Sequence, residues 1–184
     1  MKTCTAFEGM NKIARGELPE VARAVKAVVD ARPEASVLVF DDATSQVVEL
    51  DLRGSVDDVL GRLVPAAPKP AAVGRPKLGV VAREVTLLPR HWEWLARQPG
   101  GASVALRKLV EIARRSGADH DETRQRCETT YRFLSAMAGN LPGFEEAARA
   151  LFAGAHEAFA KWMADWPADI RDHALRLVAP GRAD

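Results

Sequence analysis

Between positions 65 and 72 the chain reads Pro65-Ala-Ala-Pro68-Lys-Pro70-Ala-Ala. Each proline locks its own φ and removes an amide donor, so this run cannot continue a helix or sit in a central strand. It reads as an extended, semi-rigid linker, and it divides what lies on either side. Four stretches follow: an N-terminal domain over residues 1–64, a proline-rich basic linker over 65–79, a strand-helix-helix segment over 80–116, and a helical region over 117–184. With 184 residues and 47% hydrophobic content, the chain has enough apolar side chains to build a core.

Residues 3–15 alternate apolar and polar side chains around Gly9, with Phe7 and Ile13 inward, the pattern of a short hairpin. Leu18, Val21, Ala22, Val25, Val28 and Val29 then recur at helical intervals until Pro33 closes the run. A second hairpin is expected from Val37–Phe40, a turn at residues 41–45, and Val48, Leu50 and Leu52 alternating with acidic residues. Ser55 is placed to cap a short helix ending at Leu63. The expected fold class is therefore α+β, with the strands gathered at the N-terminal end.

Helical spacing dominates after Arg115. Tyr131, Leu134, Ala138 and Leu141 mark one segment, broken at Pro142-Gly143. Phe144, Ala148, Leu151, Phe152, Ala155, Phe159, Trp162 and Met163 form a long apolar stripe, and residues 168–178 make a last helix. Core or dimer packing is the first expectation for Trp92 and Trp162.

The formal net charge of +1 conceals a cationic centre. Residues 69–115 hold ten Lys and Arg against three Asp and Glu, whereas residues 1–68 and 116–184 each hold eight against eleven. A field of that kind attracts polyanions. Within it, Arg83-Glu-Val-Thr-Leu-Leu-Pro89 alternates weakly, and Pro89 can open a helix because its missing amide hydrogen would have had no partner. Pro99-Gly100-Gly101 stops that helix, Ser103 is a competent cap for the next, and Leu106, Leu109, Val110 and Ala113 make its stripe.

This order of strand, helix, glycine turn and helix resembles the ribbon-helix-helix repressors, whose paired strands read DNA. The resemblance implies a homodimer, since the strand pairs with its mate from a second copy. It also implies that Ala82, Glu84 and Thr86 face the groove, Val85 and Leu87 face the helices, and the amides near Ala102 to Val104 meet phosphate. Val73-Gly74-Arg75-Pro76-Lys77 resembles the centre of an AT-hook, which implies an arginine in an A·T-rich minor groove. The expected DNA contacts are Arg75, Lys77, Arg83, Glu84, Thr86, Ser103, Arg107 and Lys108, and the expected dimer contacts are Val85, Leu87, Trp92 and Leu106. The groove-facing set carries no Arg, Lys, Asn or Gln, so attraction to phosphate is favoured over base readout.

Two readings of this segment stand: a DNA-associated regulator, and a protein-interaction or scaffold module that uses the segment only to dimerise. A third is a small thiol enzyme or hydrolase, since His120 and Cys127 are seven residues apart and can share a helix face. The first expectation for Asp119-His-Asp-Glu122 is instead a solvated helix start, so no enzyme is expected. Asp41, Asp42, Asp57 and Asp58 read as turn and helix-start residues. No His or Cys pair has metal-ligand spacing, so neither metal nor cofactor is expected. Cys4 and Cys127 supply no disulfide framework, and the N-terminus carries no long apolar run, which points to a cytoplasmic chain with no membrane partner.

Three phrases carry a likeness across nearly the whole length: Val39-Phe-Asp-Asp-Ala-Thr44, Gly74-Arg-Pro-Lys-Leu-Gly-Val-Val-Ala-Arg-Glu-Val-Thr-Leu-Leu-Pro-Arg-His-Trp92 and Trp166-Pro-Ala-Asp-Ile-Arg-Asp-His173. With these the chain resembles a bacterial family of uncharacterised proteins, a DUF2239-like domain of unknown function. That resemblance implies no activity and no site residues.

Overall fold

A computed structural model of the chain describes residues 2–63, 81 and 83–179. The proline-rich run, Arg75, Lys77 and Ala82 lie outside the described residues. Those described form an α+β structure with its strands at the N-terminal end. Met1–Ala66 and Thr123–Asp184 make one compact unit, and Ala67–Glu122 makes a second.

Strands β1 (Thr3–Glu8) and β2 (Asn11–Glu17) form the expected hairpin, with Gly9 at φ 55° in its turn. Helix α1 (Leu18–Ala31) follows directly. Its first turn is held by a reciprocal box in which the Glu17 amide donates to the Glu20 carboxylate at 3.3 Å. Strand β3 (Val37–Asp41) then pairs antiparallel with β1, so β1 is central in the order β2-β1-β3. The second hairpin forms only in part. Residues after the turn return along β3 through a single bridge between Phe40 and Val47 and a bond from the Val48 amide to the Val39 carbonyl, and no further strand develops. Helix α2 (Val56–Leu63) carries the cap expected of Ser55, whose hydroxyl accepts from the Asp58 amide while Asp58 accepts from the Ser55 amide.

A central strand can be buried on both faces, and β1 is. Cys4 and Ala6 point one way and pack with Val39 against Val21 and Val25 of α1. Thr5 and Phe7 point the other way. On that side Phe7 and Phe40 meet Phe133 of helix α4 (Gly101–Met137), with ring centroids 5.4 and 5.3 Å apart. Leu151 of α5 (Phe144–Phe152), Phe159 of α6 (His156–Trp162) and Ile170 of α7 (Ala168–Val178) complete this second core. The three-stranded sheet is thus the middle layer of its unit, with α1 on one face and the C-terminal helices on the other.

Two helical expectations need correction. The apolar stripe of residues 144–163 is two helices, because Gly154 takes φ 67° and ends α5. Asp119-His-Asp-Glu122 is not a helix start, since α4 runs unbroken from Gly101 to Met137 and places it mid-helix. Of core or dimer packing for Trp162, its 48% exposure rules out the core, and Trp166 is the buried indole.

Candidate functional site

Residues 80–116 were expected to provide a strand and two helices, and the helices are there. Helix α3 (Pro89–Ala96) starts at Pro89. Its C-terminal end folds over through bonds from the Arg97 amide to the Trp94 carbonyl and from the Gln98 amide to the Leu95 carbonyl. Gly100 and Gly101, at φ 84° and 75°, turn the chain into α4. Because α4 begins at Gly101, Ser103 lies inside its first turn rather than at the cap, and its carbonyl accepts from Arg107 Nε at 3.1 Å. Residues 83–88 form no strand in the single chain. The physical reason is that a strand needs a ladder partner, and none of the described residues pairs with them.

What this segment does with its apolar side chains is its most telling property. Leu95 and Ala105 are buried, yet Val85, Leu88, Trp92, Trp94, Leu109, Val110 and Ile112 are each between 42% and 63% exposed. Leu87, His91, Trp94, Leu95, Leu106 and Leu109 line an open hollow of about 270 Å³. Single apolar residues on a surface are ordinary; here seven of them are exposed between residues 85 and 112. Of the expected dimer contacts, Val85 and Trp92 stand in solvent, and Leu87 and Leu106 border the hollow.

The expected DNA contacts are distributed differently. Arg83, Glu84, Thr86, Ser103, Arg107 and Lys108 are all exposed. Residues 83–115 carry seven cationic and three acidic side chains. Arg114 and Arg115 share Glu111 at 2.9 and 3.1 Å, which holds the Glu111 carboxyl below its ordinary value, chiefly through the hydrogen bond from Arg114. Arg83, Arg90, Arg97, Arg107 and Lys108 take no acidic partner among the described residues.

The thiol reading fares poorly on geometry. His120 is exposed, whereas Cys127 is buried and donates to the Leu151 carbonyl at 3.6 Å. Burial pushes the Cys127 thiol up, the reverse of what an activated nucleophile requires. Among the described residues no group of three or more His, Cys, Asp or Glu side chains could hold a metal ion. No described helix is long and apolar enough to cross a membrane.

One polar constellation was not foreseen. Asp42, read from sequence as a turn residue, accepts from Thr5 Oγ1 at 2.6 Å and from Arg15 Nε at 2.8 Å. Nearby on α7, Arg176 donates to Nδ1 of His173, so the ring proton sits on Nε2, which is buried without a partner. Burial, reinforced by the charge of Arg176, pulls the His173 pKa down to about 3, leaving a neutral imidazole packed 4.3 Å from Phe133. No local motif announces this cluster, because its members come from β1, β2, the turn after β3, and α7.

Comparison with known proteins places the chain in a family. The model of a family described as an uncharacterized protein conserved in bacteria, DUF2239, matches residues 3–178. No curated protein and no solved structure matches the chain.

Proposed function

The chain belongs to the DUF2239 family, and on that premise we propose that it is a self-associating module in which residues 83–112 of two copies cover one another. The observation that supports this reading is the exposure of Val85, Leu88, Trp92, Trp94, Val110 and Ile112 on one short stretch of chain. Full burial of an apolar side chain is worth roughly 1.5–3 kcal/mol; these are already about half covered, so a partner would add only part of that at each position, and the gain comes from their number. A second copy fits the chemistry well. Residues 83–88 have backbone donors and acceptors with no ladder partner, and an antiparallel pairing of two identical strands about a twofold axis satisfies both copies at once.

A second reading rests on a separate observation. Arg83, Arg90, Arg97, Arg107 and Lys108 lie on the same stretch without acidic partners among the described residues, so a dimer would double an unneutralised cationic surface. Such a surface suits the phosphates of duplex DNA, with attraction by charge rather than readout of bases. In this reading the module is a DNA-associated regulator.

Sedimentation of the full chain tests the first reading. A dimer that dissociates when Leu87 is replaced by Glu supports it, and a monomeric wild type overturns it together with the dimeric DNA-binding form.

A further inference from the structure

A different part of the chain holds an open cleft of about 560 Å³, whose apolar lining includes Leu141, Pro142, Ala158, Trp162 and Trp166. Its shape is built into the backbone. Gly143 takes φ 80°, and a Cβ there would stand 3.3 Å from Trp162, so glycine is what lets this turn lie against the indole. Trp166 is 5% exposed and donates its indole N–H to the Pro142 carbonyl at 2.8 Å, which ties the end of the α6 region to the same turn.

The other indole is not used up in this way. Trp162 is about half exposed, and its N–H takes no partner among the described residues. Lys161 and Asp165 border the cleft on either side of it in sequence. Lys161 lies in the last turn of α6 and Asp165 in the turn beyond its end. Neither enters an ion pair with the other or with any described residue. An apolar cleft therefore offers one unpaired cation and one unpaired anion at its rim.

We propose that this cleft binds a small zwitterion with an apolar body, the chemistry of an apolar α-amino acid or of a short apolar peptide with free termini. The ligand carboxylate meets Lys161, its ammonium meets Asp165, and its side chain covers Trp162 and enters the space over Leu141 and Ala158. The volume suits such an occupant, since small-molecule sites fall at about 300–1,000 Å³ and combine apolar walls with a few placed polar groups. A neutral apolar molecule would leave both rim charges without partners, and a ligand with one charge would satisfy only one of them.

Heteronuclear NMR of the indole N–H groups in the full chain provides the test, with leucine, leucyl-leucine, N-acetyl-leucine and leucinamide as the probes. The signals of Trp162 and Trp166 should move with leucine or leucyl-leucine, while those of Trp92 and Trp94 stay in place. Blocking either charge should weaken binding about tenfold, the scale of one hydrogen bond to a charged group. Asp165→Asn should erase the penalty for N-acetyl-leucine, and Lys161→Met should erase that for leucinamide. Both positions are exposed, so each variant should melt with the wild type. Signals that stay fixed with all four probes, equal affinity for all four, or full discrimination in both variants would each overturn the proposal.

Discussion

Phe7 and His173 meet edge to face, with ring centroids 5.3 Å apart and planes 88° to one another, although one stands in the first strand and the other in the last helix. Phe133 joins them from α4, so three distant parts of the sequence close one aromatic core. The sheet cannot keep its second face dry without the C-terminal helices.

Phe133→Ala should therefore destabilise the whole of this unit by about 3–5 kcal/mol, the usual cost of removing a fully buried phenylalanine. Urea unfolding followed by circular dichroism checks this. The strand and helix signals of this unit should be lost together, and a variant that melts only its helices would show that the sheet stands alone.

His173 makes stability depend on pH with a definite sign. Its pKa is about 3 in the folded chain against an ordinary 6.5, so between those values the unfolded chain binds the extra proton. The stabilisation is fully present above about pH 6.5 and is lost as pH falls towards about 3, at up to about 1.4 kcal/mol per pH unit. Denaturation midpoints measured from neutral pH downward should fall accordingly. In His173→Phe the portion of that fall lying above the carboxylate range should vanish.

Asp42→Ala should cost about 1–3 kcal/mol, because it leaves Thr5 Oγ1 and the Arg15 guanidinium without the acceptor that both now use. Asp42→Asn should cost less, since an amide oxygen can still accept from one of them. Thermal unfolding of the two variants beside the wild type measures the difference.

If the cationic side chains of residues 83–115 hold duplex DNA, affinity should fall with salt at a log-log slope of roughly 0.9 per phosphate neutralised. Replacing Arg107 and Lys108 together by Gln should lower that slope by about 2. Filter binding or anisotropy at several salt concentrations gives the slope, and salt-independent or absent binding would sink the DNA reading while leaving self-association intact.

Local pattern carried much of this fold. Gly9 and the alternation around it announced the first hairpin, the stripe from Leu18 to Val29 announced α1, and Ser55 announced the start of α2. Each of those signals lies within a few residues of the element it specifies. The failures have the opposite character. Periodicity alone could not place a break inside the stripe of residues 144–163, where Gly154 adopts a left-handed conformation between α5 and α6. The return arm after β3 alternates as a strand should, but pairing is a tertiary fact and, among the described residues, it stops after Gln46, Val47 and Val48. Asp42 looked like an ordinary turn residue because its partners, Thr5 and Arg15, lie far away in sequence. For residues 83–116 the helices and the glycine turn were legible from Pro89 and Pro99-Gly100-Gly101, and the exposure of Trp92 and Val110 was not, since an apolar stripe looks the same whether it faces a core or a partner.

Sedimentation velocity on the wild type and on Val110→Glu, across a wide range of concentration, bears most directly on self-association through residues 83–112. The wild type should sediment as a dimer at concentrations where Val110→Glu is a monomer that keeps the helical content of the wild type, because Val110 is 63% exposed in the single chain. A wild type that remains monomeric throughout, or a dimer that the glutamate leaves untouched, would contradict it.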